Sequence, residues 1–187
     1  MKNIESVCSF FEGLGTAHPE RYFSTFSTSL VDESCVLLRQ GEEQTHAFYL
    51  VSGILKACHY SDSGVERCKE FYFPQSLCIL FSSWIENRGS SYQIESLTKV
   101  EFIKVPMSML NSQEWVNTKI QLLEQQLLYK EKKESFFLLN THEERYKHLV
   151  NDFPHWVKHL TSVDIANYMG ISPVSLSRIK TALTIVN

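Results

Sequence analysis

From Asn111 to Asn140 the chain runs without a glycine or a proline. The stretch is rich in Gln, Glu, Lys and Leu, all good helix formers. One continuous helix of that length reaches about 45 Å at ~1.5 Å per residue. That is longer than one small β domain can cover. Val116, Ile120, Leu123 and Leu127 recur at steps of four, three and four, the spacing of a coiled-coil seam. The seam fades at Lys130 and Glu134. Such a stripe can pack on its own domain or on a second copy. The excess length favours a short dimer seam.

The chain before this helix has another texture. Ile4, Val7, Cys8 and Phe11 follow helical spacing until Gly13 and Gly15, and Pro19 opens a second short helix carrying Tyr22, Phe23, Phe26 and Leu30. From Cys35 to Val105 short β-rich runs follow: CVLLRQ, AFYLVSGILKACHY, ERCKEFYFP, YQIESL and KVEFIKV. Gly41, Gly53, Asp62-Ser63-Gly64 and Pro74 break them. Many short strands with glycine at the corners predict a sandwich or jelly roll. Gly64 suits a hairpin tip, since glycine takes positive φ at little cost.

After the helix, Thr141-His142-Glu143-Glu144 fits a capping box. It starts a helix with Tyr146, Leu149, Val150 and Phe153 inward, and Pro154 ends it. Thr161 caps the next helix, with Asp164 three residues on and Ile165, Ala166 and Met169 on one face. Gly170 can take the left-handed turn that closes it. Ser172 is then a favoured N-cap and Pro173 a favoured first residue. Leu176, Ile179 and Leu183 make a buried stripe. Val174, Ser175, Arg178 and Thr181 stand on the outer face. This pattern predicts a helix-turn-helix whose second helix reads DNA. Arg178 can bridge a guanine edge or hold a phosphate, and Val174 can meet a thymine methyl. Ser172, Ser175 and Ser177 can donate to bases or phosphates, with Lys180 as a further cation.

The whole chain, 187 residues long, carries a net charge of −3. The sign reverses locally. From Arg145 onward five basic residues face two acidic ones, a net +3. So small a footprint implies that two copies act together on DNA. The composition, 43% hydrophobic and 21% charged, is that of an ordinary globular protein. No stretch approaches the ~18 apolar residues of a membrane span. The opening MKNIESVCSFFEGLG lacks a secretory pattern, so a cytoplasmic location is expected. The five cysteines are widely spaced, with no C-x-x-C pair. This argues against a disulfide framework or a zinc knuckle.

Together these residues carry a resemblance to the Crp/Fnr superfamily of bacterial transcription regulators. The roll portion matches over LLRQGEEQTHAFYLVSGILKACHYSDSGVE and FIKVP, and the reader over TSVDIANYMGISPVSLSRIK. EERYKHLVNDFPHW also resembles the helix that precedes the reader in a short-tailed branch. The resemblance implies an α+β chain in three units. Residues 1–110 form a cyclic-nucleotide-binding-like β-roll, jelly-roll-like, with N-terminal helices. Residues 111–140 form the dimerisation helix. Residues 141–187 form the helix-turn-helix, with a short or absent wing. It implies a homodimer on near-palindromic double-stranded DNA, with RNA polymerase as a further partner.

Departures from the family pattern bear on the effector. Members that bind cyclic AMP hold its phosphate and ribose with a Gly-Glu and a following Arg-Ser or Arg-Thr. Here the region reads FPQSLCILFSSWIENRGSSYQIES, with Leu80 near the place of the Glu and Ser90-Ser91 at the Arg-Ser place. Arg88 lies two residues early and could substitute only if the loop shifts. A ring phosphate without a pairing Arg is poorly held, which argues against cyclic AMP. Arg88, Ser90 and Ser91 remain the candidate effector contacts, and the effector itself stays unidentified. The cysteine cluster of the family's oxygen sensors is missing, and His46 or His59 alone makes a poor haem site. In the reader, Pro173 and Val174 replace the usual Arg-Glu, so a different half-site is expected.

The alternative is a degenerate sensor or interaction module that has lost ligand or DNA binding. An enzyme is disfavoured. No P-loop, nucleophile elbow or His-x-His metal set appears, and no metal or cofactor is expected.

Overall fold

The structure, a computed structural model, describes residues 2–186. Residues 1 and 187, the outer limits of the expected first and third units, lie outside them. Two helices come first, α1 (Lys2–Gly13) and α2 (Glu20–Phe23), then eight strands in two four-stranded antiparallel sheets. The strands are β1 (Thr28–Val31), β2 (Val36–Leu38), β3 (His46–Ser52), β4 (Leu55–Tyr60), β5 (Glu66–Tyr72), β6 (Leu77–Cys78), β7 (Gln93–Ser96) and β8 (Val100–Pro106). One sheet has the order β1-β8-β3-β6 and the other β2-β7-β4-β5. Leu50, Leu55, Ile94, Phe102 and Leu80 fill the space between them. The Asp62-Ser63-Gly64 corner joins β4 to β5, closed by Gly64 N–H on Ser61 O at 2.8 Å.

The second N-terminal helix is shorter than the sequence predicts. Leu30 belongs to β1 and is exposed, because residues 28–31 pair with β8 instead. Helix α3 (Phe81–Glu86) sits between β6 and β7, and α4 (Met107–Leu110) follows β8.

The long helix, α5, runs Val116–Leu139, about 36 Å at ~1.5 Å per residue. It starts later than the predicted Asn111. Residues 113–115 form a 3-10 turn that drops Trp115 into the core. There Trp115 meets Phe11 edge-on at 5.1 Å, and Phe11 stacks on Phe23 at 5.0 Å. A Thr16–Thr118 hydroxyl pair at 2.7 Å adds a second tie. This aromatic cluster fixes where α5 begins and how it leaves the roll.

Four helices complete the chain: α6 (His142–Asp152), α7 (Pro154–Val157), α8 (Ser162–Met169) and α9 (Pro173–Val186). Among the described residues, 140–186 hold no strand. The capping box at Thr141 is present, with Glu144 N–H on Thr141 Oγ1 and Thr141 N–H on Glu144 Oε2. Arg145 bridges the α5–α6 junction. It donates to Asn140 O at 3.0 Å and to Phe137 O, and lies over the Phe137 ring.

The helical end is not separate from the roll. Ile54, Cys58, Cys68 and Phe71 of the roll share one buried cluster with Ile165, Ala166, Met169 and Leu176 of α8 and α9. An ion network crosses the same joint. Buried Lys56 on β4 places its Nζ 3.0 Å from Glu66 Oε1, 3.0 Å from Glu95 Oε1 and 3.5 Å from Asp164 Oδ1. Glu66 also takes a bond from Asn167 Nδ2 of α8, and Tyr60 OH donates to both Glu66 and Glu95. Burial works against the charge on Lys56, but the bonds to Glu66 and Glu95 outweigh it and keep it protonated. Burial likewise opposes ionisation of Glu66, yet Lys56 holds its carboxyl below the ordinary 4.5.

A buried ion that loses its partner costs far more than the pair gains. Lys56→Met strands three carboxylates and should lower stability by about 3–5 kcal/mol at neutral pH, read from urea unfolding. Glu66 contributes above its unfolded pKa, and that contribution fades as pH falls through its depressed folded value. In the variant the half-buried Glu66 carboxyl, without Lys56, instead gains by taking up a proton. The gap between parent and variant should therefore narrow below about pH 5. A gap independent of pH would show that the network adds nothing electrostatic.

Candidate nucleic-acid interface

The reader is assembled by local chemistry. Thr161 caps α8, accepting from Asp164 N–H while Asp164 Oδ2 accepts from Thr161 N–H and Oγ1–H. Asp164 thus closes the cap with one oxygen and faces Lys56 with the other. Gly170 takes φ 71° and ends α8, and Ile171 N–H reaches back to Ala166 O at 3.0 Å. These bonds make a Schellman-type turn. Ser172 Oγ then accepts from Ser175 N–H at 3.0 Å, capping α9, and Pro173 stands at its first position. Leu176 is fully buried beneath the helix.

The outer face of α9 is open. Pro173, Val174, Ser175, Ser177, Arg178 and Thr181 are exposed, Val174 at 62%. Among the described residues no hydrogen bond or ion pair engages the exposed Arg178 side chain. Val174, Arg178 and Thr181, at steps of four and three, share one stripe.

Some predicted contacts are partly spent inside the protein. Lys180 is half-buried and turns back, with Nζ 2.8 Å from Ser162 Oγ and over the Tyr146 ring. Ser172 and Ser175 hydroxyls pair at 2.9 Å, and Thr181 donates to Ser177 O. The local positive charge is spent in the same way. Arg145 holds the α5 end and Lys147 pairs with Glu143 at 2.9 Å. Arg178 and Lys158 remain as exposed cations near the reader.

The seam residues of α5 face outward. Val116, Ile120 and Leu127 are exposed and Leu123 is half-buried. Thr118 and Leu122 on the opposite face are buried against the roll, where Tyr129 OH and Lys133 Nζ also reach Glu70 at 2.6 and 2.9 Å. At about 100° per residue these two sets lie on opposite sides of the helix.

The candidate effector contacts are engaged with close neighbours. Arg88 pairs with Glu86 beside it and is exposed. Buried Ser90 spends its hydroxyl on Tyr92 N–H and Tyr92 O, and Ser91 O meets His59 Nδ1 at 2.9 Å. Leu80 is packed in the roll core, its N–H on Gln44 Oε1. The cavities described lie elsewhere. One of about 380 Å3 is walled by β5, the turn to β6, α5 and the helices before the reader. The sequence reading missed its polar groups, Lys69, Glu70, Tyr129 and Tyr168. Lys69 falls at a β-bulge, between Glu70, which pairs with Ala57, and Cys68, which pairs with Cys58. A strict alternation therefore misplaces it. Among the described residues no group of three His, Cys, Asp or Glu side chains is arranged to hold a metal. No described helix is long and apolar enough to cross a membrane.

Gly170 needs its left-handed conformation, which costs a residue with a Cβ about 1–2 kcal/mol even in open space. Gly170→Ala should lower unfolding stability by roughly that amount and Gly170→Asn by less, in urea titrations. Equal stability of all three would mean that the turn is not held as seen.

No family sequence model matches the chain, and no curated protein matches it in sequence. Solved structures do match in shape. FixK2 from Bradyrhizobium japonicum superposes with a TM-score of 0.71 over 86% of this chain and 85% of that one, at 14% identity. The c-di-GMP responsive global regulator CLP of Xanthomonas campestris gives 0.67 over 93% and 92%, at 15% identity. A CRP/FNR-family transcriptional regulator from Thermus thermophilus gives 0.68 over 86% and 87%, at 13% identity. The chain has a Crp/Fnr-type fold, with a cyclic-nucleotide-binding-like domain ahead of a long helix.

Proposed function

We propose that this chain is a DNA-binding transcription regulator that acts as a homodimer and not as an enzyme. The observation that carries the reading is the exposed stripe Val174–Arg178–Thr181 on a helix capped, started and buried as a reader requires. Two chains pair along Val116, Ile120, Leu123 and Leu127, which α5 turns away from its own roll. Their two α9 helices then enter successive major grooves of a near-palindromic site, one turn apart. Arg178 reads a base or holds a phosphate, Val174 lies toward a thymine methyl, and Ser175, Ser177 and Thr181 supply polar contacts. Ser172 and Pro173 set the helix start against a phosphate. Lys180 supports α8 from the inner side.

The strand orders β1-β8-β3-β6 and β2-β7-β4-β5 support reading the roll as a jelly roll. The units at 1–110, 111–140 and 141–187 are best taken as a roll, a dimer helix and a reader docked on the roll. A cytoplasmic location and action through RNA polymerase are further proposals, both carried over from the family resemblance. CLP and the Thermus thermophilus protein are regulators, which supports the non-enzymatic reading.

Selection from a random duplex pool should recover a two-fold-symmetric site. Arg178→Ala should weaken binding to it by about 1–3 kcal/mol and relax one base position, measured by fluorescence anisotropy. Unchanged affinity and base preference would overturn the reader assignment. With few free cations near α9, the salt dependence per chain should be shallow. Replacing Ile120 and Leu123 by Glu should give monomers in sedimentation. A dimer that survives would place the interface elsewhere. Failure of the parent protein to enrich any site would favour the second reading, an interaction module, which the small free positive charge also fits.

A further inference from the structure

The cavity between β5, α5 and the reader's supporting helices has a composition that the fold does not need. Its volume is about 380 Å3, at the low end for small-molecule pockets. Phe71, Tyr129, Leu160 and Tyr168 form apolar walls. A second hollow of about 440 Å3 lies further along α5 and shares Tyr129, Leu149, Phe153 and Tyr168 with the first. The two hollows together suit an elongated apolar body.

The charges at the cavity are unbalanced. Lys69 and Lys130 line it with Glu70 as the acidic group. Glu70 is already engaged by Lys133 at 2.9 Å and by Tyr129 OH at 2.6 Å, with Lys130 at 3.7 Å. Among the described residues no carboxylate stands within ion-pair distance of Lys69, whose ammonium lies 4.3 Å from the centre of the Tyr92 ring. Burial, and then the nearby Lys130 charge, push Lys69 down to about 8. Burial also lowers Lys130. Lys69 lines the cavity with no carboxylate partner, and an anion brought beside it would relieve its buried charge. The first hollow holds no arginine to grip a phosphate in the two-pronged manner, and Arg145 of the second is already bonded to the carbonyls of Asn140 and Phe137. A singly charged carboxylate suits two lysines better.

We propose that this cavity binds an organic monoanion with an extended apolar body, such as a medium-chain acyl carboxylate. Its head lies by Lys69 and Lys130, and its body runs along Tyr129 and Tyr168 toward the second hollow. The walls belong to three parts of the chain: β5 of the roll, α5, and α6 with α8 beneath the reader. A ligand there bridges roll and reader and stabilises the docked arrangement over any other. That regulatory consequence rests on the DNA-binding reading above, whereas the binding itself does not.

The test uses the full chain without DNA. The probe is 8-anilinonaphthalene-1-sulfonate, whose fluorescence rises in apolar sites, and dodecanoate competes with it below its micelle concentration. Saturation at one probe per chain is expected, with displacement by dodecanoate and roughly tenfold weaker displacement by dodecylammonium. Leu149→Trp, which fills the cavity from α6, should weaken both by a similar factor. If that variant melts early, Lys69→Met with Lys130→Met serves instead and should erase the preference for the anion. Non-saturating probe binding, equal displacement by the two head groups, or binding unchanged in the variants would overturn the proposal. Operator binding measured separately, with and without dodecanoate, keeps a failure of DNA binding apart from a failure of the cavity.

Discussion

The position of the reader depends on one buried ammonium. Lys56 sits in a strand of the roll and holds two carboxylates of its own sheet and one from α8. A lysine in such a place is costly unless it is surrounded by acceptors. Here three acceptors surround it, and Tyr60 and Asn167 complete their bonds. The apolar cluster around Ile165, Met169 and Phe71 supplies the bulk of the contact. The ion network supplies the register, because α8 must place Asp164 over Lys56 and not one turn away. Asp164 also closes the N-terminal cap of α8. Capping and docking are therefore one event. A helix-turn-helix that drifts from the roll loses a cap partner's orientation as well as a salt link.

The long helix mediates between the other parts. Its start is held by Trp115 among Phe11 and Phe23, its middle by Glu70, and its end by Arg145 over the last carbonyls. With one face committed to the roll, the opposite face keeps Val116, Ile120 and Leu127 exposed. A monomer gains nothing from such a stripe. The same helix forms a wall of the cavity beside Lys69 and Lys130. Whatever fills that cavity touches the helix that carries the seam and the helices that carry the reader.

Much of the reader was legible in residues 141–183. Capping boxes, the Gly170 turn and the Ser172-Pro173 start act within a few residues of each other, so their chemistry appears directly in the sequence. The strand runs from Cys35 to Val105 were legible for a related reason. Their alternation and glycine corners are local, though β1 escaped because Leu30 continued the helical spacing of Tyr22, Phe23 and Phe26, and two-residue β6 because so short a run carries no period. The outward apolar stripe of α5 followed from spacing alone, while the start of the helix did not. Trp115 is drawn inward by aromatic residues about a hundred positions earlier, and no window around Asn111 contains them.

The sequence by itself determined the kinds of element, the cap and turn chemistry of the reader, and the outer face of α9. These depend on interactions between near neighbours. Only the tertiary structure decided which charges are spent. Lys180 and Arg145 look like part of a DNA footprint in a linear count, yet each is occupied by a partner inside the fold. The effector contacts followed the same rule. Arg88 and Ser90 spend their polar groups on near neighbours, whereas Lys69, Lys130 and Tyr168 line one cavity from three distant segments. A charge has meaning only with its neighbours, and those neighbours are brought together by packing over the whole chain.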